Sequence, residues 1–107
     1  MTSHDTIFAL SSGAGRAGVS VFRVSGSKTF ELSKLISKQK LPAFRQAALR
    51  QFYTKNDVII DEGLLIIFSG PRSFTGEDSA EFHTHGSPAV IEAMGQAFLE
   101  AGARQAL

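Results

Sequence analysis

The chain has 107 residues, 43% of them hydrophobic and 20% charged, with a formal net charge of +1 and no cysteine. That composition fits one globular domain with a modest core and excludes disulfides, thiol nucleophiles and Cys-ligated zinc. A balance of +1 is not the basic footprint of an autonomous nucleic-acid binder, so a nucleic-acid partner is expected to be engaged by other parts of a larger protein.

The opening Met1-Thr2-Ser3-His4-Asp5 has no basic patch followed by an apolar stretch and does not read as a secretory signal. Thr6 to Leu10 reads as a first strand, followed by a glycine-rich loop from Gly13 to Gly18. Val19 to Val24 then alternates, with Val19, Val21 and Arg23 on one face and Ser20, Phe22 and Val24 on the other, as a β-branched strand does. Arg23 therefore emerges beside valines on a surface expected to be partly covered. Ser25-Gly26-Ser27 ends the strand and can cap a helix over Lys28 to Ser37, in which Leu32, Leu35 and Ile36 share a face. Leu49 to Thr54 is a further strand, Lys55-Asn56-Asp57 a turn, and Val58-Ile59-Ile60 resumes extended structure. Gly63 to Phe68 is almost wholly apolar, more like a buried central strand than an edge. Its apolar run, Leu64 to Phe68, is far short of the roughly 20 residues a membrane helix needs, and a cytoplasmic protein is expected.

Ala80 to His85 is the next strand, with Ala80, Phe82 and Thr84 on one face and Glu81, His83 and His85 on the other. Ser87 is placed to cap the following helix and Pro88 suits its first position. Val90, Ile91, Met94, Ala97, Phe98 and Ala101 make its apolar stripe, and Gly102 fits its stop. The order β, β, α, β, β, β, α predicts an α+β fold, a mixed sheet with two helices packed on it. Ala103 to Leu107 begins something extended and then the chain stops, which reads as a fragment of a longer protein.

Gly13-Ala14-Gly15-Arg16-Ala17-Gly18 is a literal G-x-G-x-x-G after a strand. A dinucleotide site needs a helix to open directly behind it, whereas a strand pattern follows here. A phosphate loop needs lysine where Val19 stands. A strand-to-strand turn is the ordinary reading. Glu81, His83 and His85 point the same way, but zinc sites want three or four ligands with outer support, and the remaining histidine, His4, is at the terminus. No metal is expected, with His85 bonded near the helix start and His83 partly exposed. Glu77 and Asp78 read as solvated turn residues. Glu81 lies within a strand and needs a partner if covered, because an unpaired buried charge is costly. Arg23 is the natural candidate, or a ligand is. A guanidinium and a carboxylate in one cleft suit an amide-like heterocycle with an acidic tail, and equally suit a simple ion pair.

The motifs Gly15-Arg16-Ala17-Gly18-Val19, Arg23-Val24-Ser25-Gly26, Gly70-Pro71, Ser73-Phe74-Thr75-Gly76-Glu77-Asp78, Glu81 and His85-Gly86 resemble, in order and spacing, the N-terminal domain of the TrmE (MnmE) family of tRNA modification GTPases. The resemblance spans nearly the whole chain. Departures are Gly13-Ala14 where the family often has proline, and Ala17 and Ser87 where it usually has glycine. The resemblance implies that residues 1–107 are an N-terminal folate-binding and dimerisation domain, similar to folate-dependent aminomethyltransferases, without the helical and GTPase domains. It implies a tetrahydrofolate derivative (5-formyl- or methylene-tetrahydrofolate) as cofactor, with Arg23 and Glu81 at the positions that contact it. The glycine loop and Thr75-Gly76 would shape the pocket wall. The partners implied are a second copy, an FAD-dependent protein (GidA, or MnmG) and tRNA, whose wobble uridine gains an aminomethyl-type group; no membrane is involved. GTP, Mg and K ions would bind only through the domains this chain lacks; the resemblance also implies a downstream segment with a lysine that helps hold folate, and a C-terminal cysteine, neither of which is in these 107 residues. The chain alone is then expected not to be catalytic. A purely structural dimerisation domain and a free-standing one-carbon transferase are the alternatives.

Overall fold

In the computed structural model, residues 5–11, 18–70 and 76–106 are described. His4, the loop from Gly13 to Ala17 and the segment from Pro71 to Thr75 lie outside them. Among the described residues the order is β1 (Ile7–Leu10), β2 (Val19–Ser25), α1 (Thr29–Ser37), β3 (Ala48–Tyr53), β4 (Ile59–Phe68), β5 (Ser79–His85), α2 (Pro88–Glu100) and β6 (Arg104–Gln105). The strands form one mixed sheet in the order β3-β4-β5-β2-β1-β6, antiparallel except for the parallel β1–β6 pair. This is the α+β architecture expected. No helix among the described residues is long and apolar enough to cross a membrane.

Strand alternation decides which side the helices cover. Phe8, Phe22, Val24, Phe52, Leu65, Ile67, Ala80 and Phe82 are buried together with Leu32 and Ile36 of α1 and Met94, Ala97 and Phe98 of α2. Phe98 is the hub, its ring centroid 5.0 Å from Phe8, 5.3 Å from Phe22 and 5.1 Å from Phe82. Burying each such side chain stabilises the fold by about 1.5–3 kcal/mol. Side chains at the intervening positions of β2, β4 and β5 stand on the opposite, helix-free face.

Several expectations are refined. The buried stripe of α1 is Thr29, Leu32, Ser33, Ile36 and Ser37, while Leu35 is 57% exposed. Serines can occupy that stripe because Ser33 Oγ donates to Thr29 O and Ser37 Oγ to Ser33 O, both at 2.8 Å. The N-cap residue of α1 is Lys28, which makes no side-chain capping bond; its N–H donates to Thr6 Oγ1 at 2.8 Å. Gly26, at φ 137°, allows this close approach, since a Cβ there would lie 2.5 Å from Asp5 O. Val58–Ile60 and Gly63–Phe68 fall in the single strand β4 from Ile59, since Asp61 and Glu62 pair with Phe52 and Gln51 of β3, with a shift of register between Phe52 and Tyr53. That strand is internal to the sheet but covered on one face: Leu65 and Ile67 are buried and Leu64 is 38% exposed. α2 begins as its sequence indicates, with Ser87 Oγ accepting from Val90 N at 3.3 Å and Pro88 at its first position.

Candidate functional site

β2 and β5 pair antiparallel with Arg23 directly opposite Glu81 and Val21 opposite His83. Because Phe22, Val24, Ala80 and Phe82 go to the core, these four side chains are forced onto the helix-free face. There Arg23 Nε donates to Glu81 Oε2 at 3.2 Å, and His83 Nε2 lies 3.0 Å from Glu81 Oε1. The carboxylate is thus held from both sides, by a guanidinium across the strand pair and an imidazole along its own strand. It is 20% exposed, against 49% for the Arg23 side chain. The neighbouring strands supply apolar flanks: Ile66 stands opposite Glu81, Leu64 opposite His83, and Ala9 opposite Arg23.

A carboxylate offers roughly four acceptor positions, and the two contacts described use two of them. The strip can therefore still accept a pair of N–H groups from a planar heterocycle lying on Ile66 and Leu64, beside a guanidinium suited to a carboxylate or carbonyl. Arg23 and Glu81, singled out from sequence, are brought together by the fold.

Other acidic groups take structural roles. Asp78 is not a solvated turn residue: its Oδ1 accepts from Gly70 N at 2.9 Å, and its carbonyl accepts from Gly26 N at 3.0 Å and Thr29 Oγ1 at 3.1 Å. It ties the segment before β5 to the start of α1. Glu77 is exposed and accepts from Ser25 Oγ at 3.0 Å. His85 does not bond to the start of α2. Its N–H donates to Asp61 Oδ2 at 2.8 Å and its Nδ1 lies 2.9 Å from Asp61 Oδ1, because β4 brings that carboxylate to the end of β5. Burial alone would raise the Asp61 pKa, but hydrogen bonds from the His85 backbone and ring outweigh it and hold the carboxyl below its ordinary value. A shallow depression lined by Val19, Glu62, Leu64, His83 and His85 adjoins the strip. Among the described residues no group of three or more His, Asp or Glu is arranged to hold a metal ion.

Sequence reasoning missed Thr6, Asp61 and Asp78 as organising residues. Asp78 had a signal: a carboxylate two residues after Gly76 and immediately before a strand is placed to bond turn N–H groups. Asp61 and Thr6 had none, since their partners are 24 and 22 residues away.

Residues 6–107 match the family model described as GTP-binding protein TrmE N-terminus. The chain is 46% identical over 104 residues to the tRNA modification GTPase MnmE of Granulibacter bethesdensis, covering 97% of this chain and 23% of that protein. It is 54% identical over 91 residues to the protein of the same name from Brucella ovis, covering 85% and 20% respectively. A third relative of that name, from Pelagibacter ubique, is 50% identical over 90 residues, covering 83% and 20%. The chain thus spans about a fifth of the length of the curated relatives it matches.

Proposed function

The chain belongs to the family of TrmE N-terminal domains, and from that premise we propose that it is the tetrahydrofolate-binding and homodimerising module of a tRNA-modifying GTPase. In that reading the whole protein works with an FAD-dependent partner of the GidA (MnmG) type on the wobble uridine of tRNA, and GTP hydrolysis belongs to domains outside this chain. The observation that carries the folate part is the Arg23–Glu81 contact on a helix-free sheet face, with apolar side chains on both flanks. The residues present suit the cofactor's chemistry. Glu81 would accept N–H groups from the pterin edge, Arg23 would hold a carbonyl or carboxylate, and His83 fixes one Glu81 oxygen in place. When bound, the folate would supply a one-carbon unit. The test is calorimetric titration of 5-formyl-tetrahydrofolate into the protein and its Glu81→Gln variant. A loss of about tenfold or more in affinity is expected, since an amide replaces one acceptor by a donor. Equal affinity in the two would remove Glu81 from the site.

The dimerisation part draws on the same face. Val19 and Leu64 are 49% and 38% exposed there, alongside half-buried Val21 and Ile66. A face of this kind is what a second copy covers, and it also supports the alternative of a structural dimerisation domain without a ligand. Sedimentation across a concentration series with and without folate separates the two readings: a dimer indifferent to folate and unable to bind it favours the structural one.

A further inference from the structure

The net charge conceals a segregation. Residues 28–55 hold seven of the eleven Lys and Arg and one of the ten Asp and Glu, so this stretch carries +6 and the rest of the chain −5. The fold sets α1, the connection after it and β3, an edge strand, beside one another, while Lys28 at the start of α1 lies toward β1, its N–H bonded to Thr6. Arg50 of β3 donates from Nη2 to Lys40 O at 3.3 Å, pinning the connection against the strand. Lys38 lies 5.6 Å from the centre of the Tyr53 ring, and these two line a cleft together with Leu35 and Lys55. Lys34 and Leu35 line the adjoining hollow with Phe30 and Leu41. Lys28, Lys34, Lys38, Lys40, Arg45 and Lys55 are all exposed. Of the lysines among them, Lys38 alone pairs with a carboxylate among the described residues, that of Asp57. Among the described residues lining these hollows the other acids are Glu31 and Glu100, so with Asp57 three acids stand against the six exposed cations of residues 28–55.

Aromatic rings are set among these charges. Phe44 is 53% exposed and rests on Phe30 at 5.7 Å between centroids, leaving much of its surface to solvent. Clustered cations neutralise backbone phosphates with release of counterions, and exposed rings beside them are platforms for unpaired bases. A protein partner would instead favour a patch whose centre is depleted of charge.

We infer that the side of the domain formed by α1, the connection after it and β3 binds RNA, its lysines contacting phosphates and Phe44 stacking on an unpaired base. The choice of RNA over another polyanion rests on the tRNA-modifying reading; the charge segregation stands without it.

The test is fluorescence anisotropy with a labelled RNA hairpin carrying an unpaired loop and a blunt duplex with as many phosphates, between about 50 and about 200 mM salt. Replacing Lys34, Lys40 and Lys55 together by glutamine is expected to weaken hairpin binding at least about tenfold. It should also lower the salt slope by about two, at about 0.7 per phosphate contact. The single substitutions, each expected to lower the slope by about 0.7, serve if the triple variant fails to fold. Phe44→Ala is expected to weaken the hairpin about five- to hundredfold and leave the duplex unchanged. Unchanged affinity and slope in the lysine variants, no RNA binding by the unsubstituted protein, or displacement of RNA by polyglutamate at equal charge would each overturn the proposal. The lysine variants keep their affinity for 5-formyl-tetrahydrofolate, so failure here is distinguishable from failure of the folate reading.

Discussion

A double-mutant cycle on Arg23 and Glu81 separates an ion pair that holds the fold from one that holds a ligand. The perturbations are Arg23→Gln, Glu81→Gln and both together. The contact runs from Nε to Oε2 at 3.2 Å, with the two side chains 49% and 20% exposed. At that separation Coulomb attraction is about 1 kcal/mol in water and about 5 kcal/mol at an effective dielectric of about 20. With half of the Arg23 side chain in solvent, screening and side-chain entropy bring the measurable coupling to about 0.2–1 kcal/mol. Urea unfolding at about 0.1 M salt should therefore give single variants destabilised by about 1 kcal/mol or less, with unchanged m-values. Folate affinity, measured on the same four proteins, should fall about tenfold or more in each single variant, and the double variant should lose less than the sum. The reasoning is refuted by the reverse pattern, a coupling above about 2 kcal/mol in unfolding with folate affinity intact in all variants. That would make the pair a device of the sheet.

Two further predictions concern the frame that presents the site. Phe98→Ala removes a fully buried ring packed on Phe8, Phe22 and Phe82 and should cost about 3–5 kcal/mol in urea unfolding; Leu99→Ala, at a 48% exposed neighbour, should cost well under about 1 kcal/mol, and equal costs would contradict the placement of α2. Asp61→Asn should destabilise the protein at neutral pH. The Asp61 pKa is lowered in the folded state, so its stabilising contribution is present above the unfolded value of 3.8 and lost as pH falls through the folded one. Unfolding curves of wild type and variant should converge at acid pH, and a gap that stays constant below pH 3.8 would show that His85 does not hold the carboxylate.

Much of this arrangement is legible in the sequence, for reasons that differ from element to element. α2 is legible because Ser87, Pro88 and Gly102 mark its ends and the stripe from Val90 to Ala101 marks its face. β2 and β5 are legible because their alternation is strict, and alternation alone assigns Arg23 and Glu81 to one face each. It does not say that the two faces are the same, or that the strands are neighbours; the register between them is a long-range fact, carried by the packing of Phe22 and Phe82 under Phe98. The face of α1 is misread because a hydrophobic count favours Leu35 over Ser33 and Ser37. The hydroxyls of those serines are satisfied within the helix, which removes the penalty that would keep them out of the core. β4 is read as a central strand, which it is, but its one-sided burial is not legible, because a run buried on both faces and an antiparallel strand with apolar residues on its open face look alike in sequence.

That ambiguity is informative about how the site arises. Leu64 and Ile66 give β4 its wholly apolar look, yet they stand on the face that the helices leave open, beside His83 and Glu81. The core on the helix side has no need for that second apolar surface, and bare apolar patches are a liability unless something is meant to cover them. The polar strip on the same surface follows from the core by register: with Phe22, Val24, Ala80 and Phe82 fixed inward, Arg23 and Glu81 have one direction left. A slip of β5 against β2 by one residue would send Glu81 into the core and Phe82 into solvent, at a cost of an unpaired buried charge in addition to about 1.5–3 kcal/mol for the exposed ring. The packing that specifies the fold thereby also specifies the site, and a substitution that loosens Phe22 or Phe82 should be felt at Arg23 and Glu81 before it is felt anywhere else on the open face.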